Sequence, residues 1–160
     1  MALPAPASTR IATVFGIGFM PFAPGTLASL AALPVGWWIA TLGQWPTLFA
    51  VTLAVTLLGI WASGQHAKTM GLNDPSDCVI DEVAGQWFAL VIVAALGMLH
   101  HPVVLAIAFL MFRALDILKP WPISRFEKYP GGYGIMLDDV VAGLAAGAFI
   151  AGGVALHLIQ

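Results

Sequence analysis

The chain has 160 residues, 60% of them hydrophobic, and only 9% are charged against roughly 25% in an ordinary soluble domain. Mean hydropathy is +0.93 and the net charge is −2 at pH 7. These figures exclude a disordered chain, a collagen, a disulfide scaffold and a typical nucleic-acid binder, and they point to one domain, residues 1–160, embedded in a membrane.

In chain order, Arg10 precedes an apolar run from Ile11 to Phe22. The run ends in Pro-rich sequence without a small-x-small cleavage site, so it does not read as a cleaved leader. Pro24-Gly25-Thr26, with Ser29 one turn on, then opens the first apolar segment, Leu27 to Leu42. Thr26 is the expected helix cap, and Pro34 is expected to kink the segment. The second segment is Pro46 to Ala62. The stretch from Ser63 to Glu82 carries Lys68, Asp74, Asp77, Asp81 and Glu82, together with His66, read as structural. Cys78 is the only cysteine, so no intramolecular disulfide forms, and it reads as a small buried hydrophobe. The third segment runs from Val83 to Leu99. His100 and His101 separate it from the fourth, Pro102 to Leu118, which holds Arg113 and Asp116 near its end. Charges return from Lys119 to Asp139, and the fifth segment is Val140 to Ile159. Within it Gly143, Gly147 and Ala151 follow a small-xxx-small pattern suited to close helix packing in lipid. The tryptophans fall mostly near segment ends, as interfacial aromatics do.

Most segments are a little shorter than the roughly 20 residues that span a bilayer. Backbone buried in lipid must satisfy its own hydrogen bonds, so helix is the assignment for all of them. The expected fold is therefore all-α, an integral membrane protein of about five apolar helices. With Arg10 on the cytoplasmic side, alternation puts every Lys, Arg, Asp and Glu on that side or at its border. Ionisable residues at the ends of apolar segments suggest a site there.

Asp81-Glu82, Asp138-Asp139 and Asp116 would repel one another at a common depth. A carboxylate-rich set without His or Cys at ligand spacing suits a hard divalent cation, Mg²⁺ above all, and argues against zinc. The plainer reading of these acids is helix capping. Arg113, Asp116 and Lys119 recur at i, i+3 and i+6, roughly one helix face. Cations beside a metal would stabilise a transferring phosphoryl group. Gly131-Gly132-Tyr133-Gly134, ahead of Asp138, reads as a loop that folds over a phosphate or metal, or as a plain turn. The competing class is a small divalent-metal or ion transporter.

Four stretches together resemble the bacterial phosphatidylglycerophosphatase A family: Pro24-Gly25-Thr26 with Ser29, Ile80 to Trp87, Phe112 to Ile123, and Gly131 to Gly143. The resemblance implies an all-helical, Mg²⁺-dependent enzyme of the inner membrane with its site facing the cytoplasm. Such an enzyme releases phosphate from phosphatidylglycerophosphate to give phosphatidylglycerol. On that expectation Asp81, Glu82, Asp138 and Asp139 are metal ligands. Asp116 is a further ligand or the base that orients water, with Asp81, Glu82, Asp116 and Asp139 the catalytic set. Arg113 and Lys119 hold phosphate oxygens, and Thr26 is a further phosphate contact. The partners expected are the substrate and membrane lipids, with no nucleic acid. Direct attack by water is favoured over an aspartyl-phosphate intermediate, because the chain has no Asp-x-Asp motif.

Overall fold

A computed structural model describes residues 6–159. Among the described residues every regular element is helical. Helix α1 covers Ala7–Ala12, and a 3-10 segment, Val14–Phe19, follows it. Then come α2 (Pro24–Met70), α3 (Ile80–Ala95), α4 (Pro102–Leu118), α5 (Ile123–Phe126) and α6 (Gly132–Ala155).

α2 merges the first two predicted segments. Its backbone leaves helical geometry only at Gly43 and Gln44, the latter at φ 60°. Ala32 and Val35 before this break line the same groove as Val55 and Leu58 after it. Those pairs lie at similar distances either side of the break, so the chain reverses there and the two legs run antiparallel. Pro46 falls at the start of the second leg, where its missing N–H costs nothing. Thr47 Oγ1 donates to the Gly43 carbonyl at 3.1 Å and fastens the turn. The backbone stays helical through Pro34, so the kink expected there is replaced by the sharper break at Gly43 and Gln44.

Among the described residues two helices, α2 and α6, are long and apolar enough to cross a membrane. α3 and α4 have 16 and 17 residues, a rise of about 25 Å against roughly 30 Å of hydrocarbon. The expected five spanning segments thus become two helices of spanning length, one folded on itself, and two shorter ones. The side chains are sorted as a lipid solvent requires. Ala28, Ala62, Ala84, Ala89, Ala108 and Ala142 are fully buried, whereas Trp38, Leu57, Val103, Leu110 and Phe149 are exposed. Small residues inside let helices approach closely, and large apolar ones outside mark a membrane-associated surface. α3 is buried along most of its length, between α2 and α6.

The bundle has two distinct ends. At one, Trp37 meets His100 edge to face at 6.3 Å, near Gln44 and Trp45. At the other, His66 contacts Thr9 Oγ1 at 3.1 Å and Asp77 Oδ1 at 3.0 Å, joining α1, α2 and the loop before α3. His66 therefore ties these elements together, and Cys78, next to Asp77 in sequence, is buried. Trp87 departs from the interfacial pattern. It is buried, and its indole N–H donates to the Ala32 carbonyl at 2.8 Å, tying α3 to the first leg of α2.

Candidate active site

α3 begins at Ile80, so Asp81 and Glu82 occupy its first turn, where the helix dipole favours negative charge. The Glu82 N–H donates to Asp81 Oδ1 at 3.1 Å. α6 begins earlier than the charge pattern indicates. Gly131 is its N-cap at φ 61°, and Asp138 and Asp139 lie nearly two turns inside it. The glycine run is the close-packed start of a helix rather than a loop closing over a ligand. A Cβ at Gly132 would overlap the Ile60 carbonyl, and one at Gly134 the Tyr129 carbonyl.

Two further glycines set the distance between α3 and α6. A Cβ on Gly143 would run into the Gly85 carbonyl, and one on Gly85 would lie 2.6 Å from the Asp139 carbonyl. At this crossing the backbones touch. One turn toward the charged end, carboxylate oxygens of Asp81, Glu82 and Asp139 come within 4.8 Å of one another. Asp116 lies beside Asp139. The predicted acids of three separate segments are thereby brought together.

Asp138 is not among the three. Its Oδ2 accepts from Lys119 Nζ at 2.7 Å, and Lys119 also lies 3.7 Å from Glu127 Oε2. Burial works against the Lys119 charge, but the bond to Asp138 and the surrounding acids outweigh it and hold its pKa above the ordinary value. Arg113 Nη1 donates to Asp116 Oδ2 at 2.5 Å and stands 3.7 Å from Glu82 Oε1. Gly25, at the start of α2, lies against Glu82 and Arg113 so closely that a Cβ there would overlap Glu82 Oε1. This is what the Pro-Gly-Thr stretch supplies. Thr26 is not the helix cap. Ala23, in the left-handed region, is the N-cap, Pro24 opens the helix, and Thr26 sits half-buried in the first turn. Ser29 Oγ donates back to the Gly25 carbonyl at 2.8 Å.

Several buried polar atoms around the acids have no partner among the described residues: Glu82 Oε2, Asp138 Oδ1, Arg113 Nε and both amide atoms of Gln86. Leaving such groups unsatisfied is costly, so their concentration here marks a place for a polar ligand. Gln86 lies within the Ile80 to Trp87 stretch but outside the expected site residues. Its signal is an amide four residues after Glu82 in an otherwise apolar helix. The Asp81, Glu82 and Asp139 donor set is all oxygen, and with Glu82 Oε2 uncommitted it fits a hard divalent cation. At the same end, a polar cavity of about 380 Å³ is bordered by Asn73, Asp74, Glu127, Lys128 and Gly131. Burial, only partly offset by Lys119, raises the pKa of Asp74.

A family model described as phosphatidylglycerophosphatase A matches residues 10–154. The chain is 37% identical to phosphatidylglycerophosphatase A of Escherichia coli over 88% of its own length and 79% of the relative's. It is 38% identical to phosphatidylglycerophosphatase A of Haemophilus influenzae, over 85% of this chain and 82% of that one. It is also 39% identical to a Bacteroides thetaiotaomicron protein named "Putative phosphatidylinositol-3-phosphatase", over 88% and 89% of the two chains. No solved structure matches the chain at a significant level.

Proposed function

The chain belongs to the phosphatidylglycerophosphatase A family, and from that premise we propose that it hydrolyses the terminal phosphate of phosphatidylglycerophosphate, with Mg²⁺ held by Asp81, Glu82 and Asp139. The observation that carries this reading is the convergence of those three carboxylates, from two helices crossing at Gly85 and Gly143, beside the Arg113–Asp116 pair. Mg²⁺ bound there supplies charge neutralisation for phosphoryl oxygens and acidifies water. Arg113 presents its guanidinium to the phosphoryl group and is aimed by Asp116. Asp116, beside Asp139, would orient the attacking water with the oxygen that Arg113 leaves free. Gln86, buried with both amide atoms uncommitted, is a donor for the same oxygens. Lys119 and Thr26 lie at the margin of the site. Lys119 is engaged with Asp138, so it steadies the site and meets phosphate only by exchanging that partner.

The charges lie at one end of the bundle, and we place that end at the cytoplasmic face of the inner membrane, with both legs of α2 and helices α3, α4 and α6 crossing or entering the bilayer. The transporter alternative is the weaker reading. No Asp, Glu, Lys or Arg lies between Val83 and Phe112 or between Val140 and Gln160, so no ionisable path leads from the acids to the far end.

The test is phosphate release from phosphatidylglycerophosphate by detergent-purified protein, with Mg²⁺ and with EDTA, beside phosphatidylinositol 3-phosphate as a competing headgroup. We expect release that EDTA abolishes and that Asp139→Asn lowers by at least about a hundredfold, as removal of a group acting in the transition state does. Release from the inositol lipid in preference would transfer the activity to that headgroup. No release from folded wild-type protein would overturn the assignment.

A further inference from the structure

Beside the carboxylates lies a groove of about 370 Å³ whose walls are wholly apolar. Its floor is Ala28, Ala32, Ile80, Val83 and Trp87. Ile80 and Val83 bracket Asp81 and Glu82 on α3, and Ala28 follows by one turn the Gly25 that touches Glu82. The groove therefore starts one helical turn from the carboxylates and runs toward the middle of the bundle, between the two legs of α2. Its rim, Ala31, Val35 and Leu58, is exposed on the outer apolar face, so the groove opens sideways. Ile11, Val14 and Ile17 close it on the side of the 3-10 segment. Val14 and Phe15 sit there at φ 47° and 54°, a region unfavourable for a β-branched residue. Phe15 also borders a depression with Thr9, Arg10 and Thr13, which sets a cation at the same edge.

A groove with almost no polar lining offers water no hydrogen-bond partners, so the occupant that suits it is a hydrocarbon. The geometry points to one occupant: we propose that this groove takes an acyl chain of the lipid whose phosphate lies at Asp81, Glu82 and Asp139. Arg10, which shares a neighbouring depression with the groove-lining Phe15, would be the cation nearest the phosphodiester that joins chain and headgroup. This deepens the phosphatase reading and rests on it. It also explains why α1 and the strained 3-10 segment cover the hairpin: they complete one wall of the groove.

Trp87 gives a readout independent of turnover. Among the tryptophans, Trp38, Trp45, Trp61 and Trp121 are well exposed, whereas Trp87 is buried and forms part of the groove floor. In a full-length variant keeping Trp87 as its sole tryptophan, phosphatidylglycerophosphate with brominated acyl chains is expected to quench fluorescence. Ala31→Phe, which adds bulk at the open rim, is expected to abolish the quenching. The same substitution should raise KM for the long-chain substrate about tenfold or more, as displacement of buried methylenes demands, with kcat within twofold. Leu30→Phe, on the adjacent exposed face, should change neither. No quenching would overturn the proposal even if phosphate release is confirmed. Equal quenching by brominated phosphatidylcholine would assign the groove to bulk lipid and overturn it too. A loss of kcat at unchanged KM in Ala31→Phe would likewise count against it. Quenching by substrate in a protein that releases no phosphate would leave lipid capture standing and remove only the phosphatase assignment.

Discussion

Asp138 and Asp139 are adjacent in sequence but do different work. Successive residues on a helix point about 100° apart, so only one can face α3. Asp139 does, and Asp138 turns to Lys119. A sequence pair of acids cannot show this division, because it depends on which face of α6 meets α3. That acids and cations gather at one end of the bundle is legible from charges placed against long uncharged stretches. Their partners are not, since Arg113–Asp116 and Lys119–Asp138 are set by side-chain direction. Lys119→Met tests the second pair. It leaves the Asp138 carboxylate buried without its cation, and we expect a loss of about 2 kcal/mol in denaturant unfolding in detergent. Lys119→Met with Asp138→Leu should recover much of it. Because the folded Lys119 pKa lies above its ordinary 10.5, its stabilisation is complete below that pH and is lost as pH rises through the folded value. The stability gap between wild type and Lys119→Met should therefore hold from neutral pH to 10.5 and close only above it. A gap that closes near pH 8 would show that the pair does not exist in solution.

The helices themselves were mostly legible, and their ends were not. Apolar stretches between charge clusters located both legs of α2 and helices α3, α4 and α6. The start of α6 is not legible, because Gly131 to Gly134 reads as a loop in a soluble protein. In a bundle packed through small residues, the same glycines let one helix begin against the backbone of another. Likewise α2 continues past Ala62 to Met70, because Ala67 and His66 are buried against the site end rather than lying in an aqueous loop. The crossing at Gly85 and Gly143 is the element-scale feature on which the carboxylate cluster depends. Gly143→Ala should push α6 from α3 and cost about 1–3 kcal/mol by overpacking. If the carboxylates hold Mg²⁺ as we propose, it should also raise the Mg²⁺ concentration needed for half-maximal activity. Gly152, on the same helix, has nothing within 4 Å of a Cβ. Gly152→Ala should be neutral or stabilising by up to about 1 kcal/mol, as helix propensity dictates. Equal effects of the two substitutions would mean that α3 and α6 do not touch at Gly143.

At the scale of the whole molecule, the dominant fact is a charge distribution confined to one end of a bundle whose outer surface is apolar. A bilayer enforces such a distribution, because charged side chains at its centre cost several kcal/mol each. Positively charged residues are retained on the cytoplasmic side, so on the orientation we propose Arg10, Lys68, Arg125 and Lys128 hold the end that carries the acids toward the cytoplasm. His101 and Lys128 are exposed at opposite ends, which makes the orientation measurable by thiol labelling. Cys78 gives little background. It is buried, and burial, with the neighbouring Glu82 and Asp74 charges, pushes its thiol pKa well up, so it stays protonated and slow to alkylate. In right-side-out membrane vesicles, an impermeant maleimide should label His101→Cys and spare Lys128→Cys until the membrane is opened with detergent. Inverted vesicles should give the reverse. If Lys128→Cys were labelled from outside, the carboxylates would face away from the cytoplasm, and a lipid phosphate presented on the cytoplasmic leaflet could not reach them. Labelling of both positions from one side would mean that the bundle lies in the interface without crossing. The exposed Trp38, Leu57 and Phe149 would then need a different apolar partner.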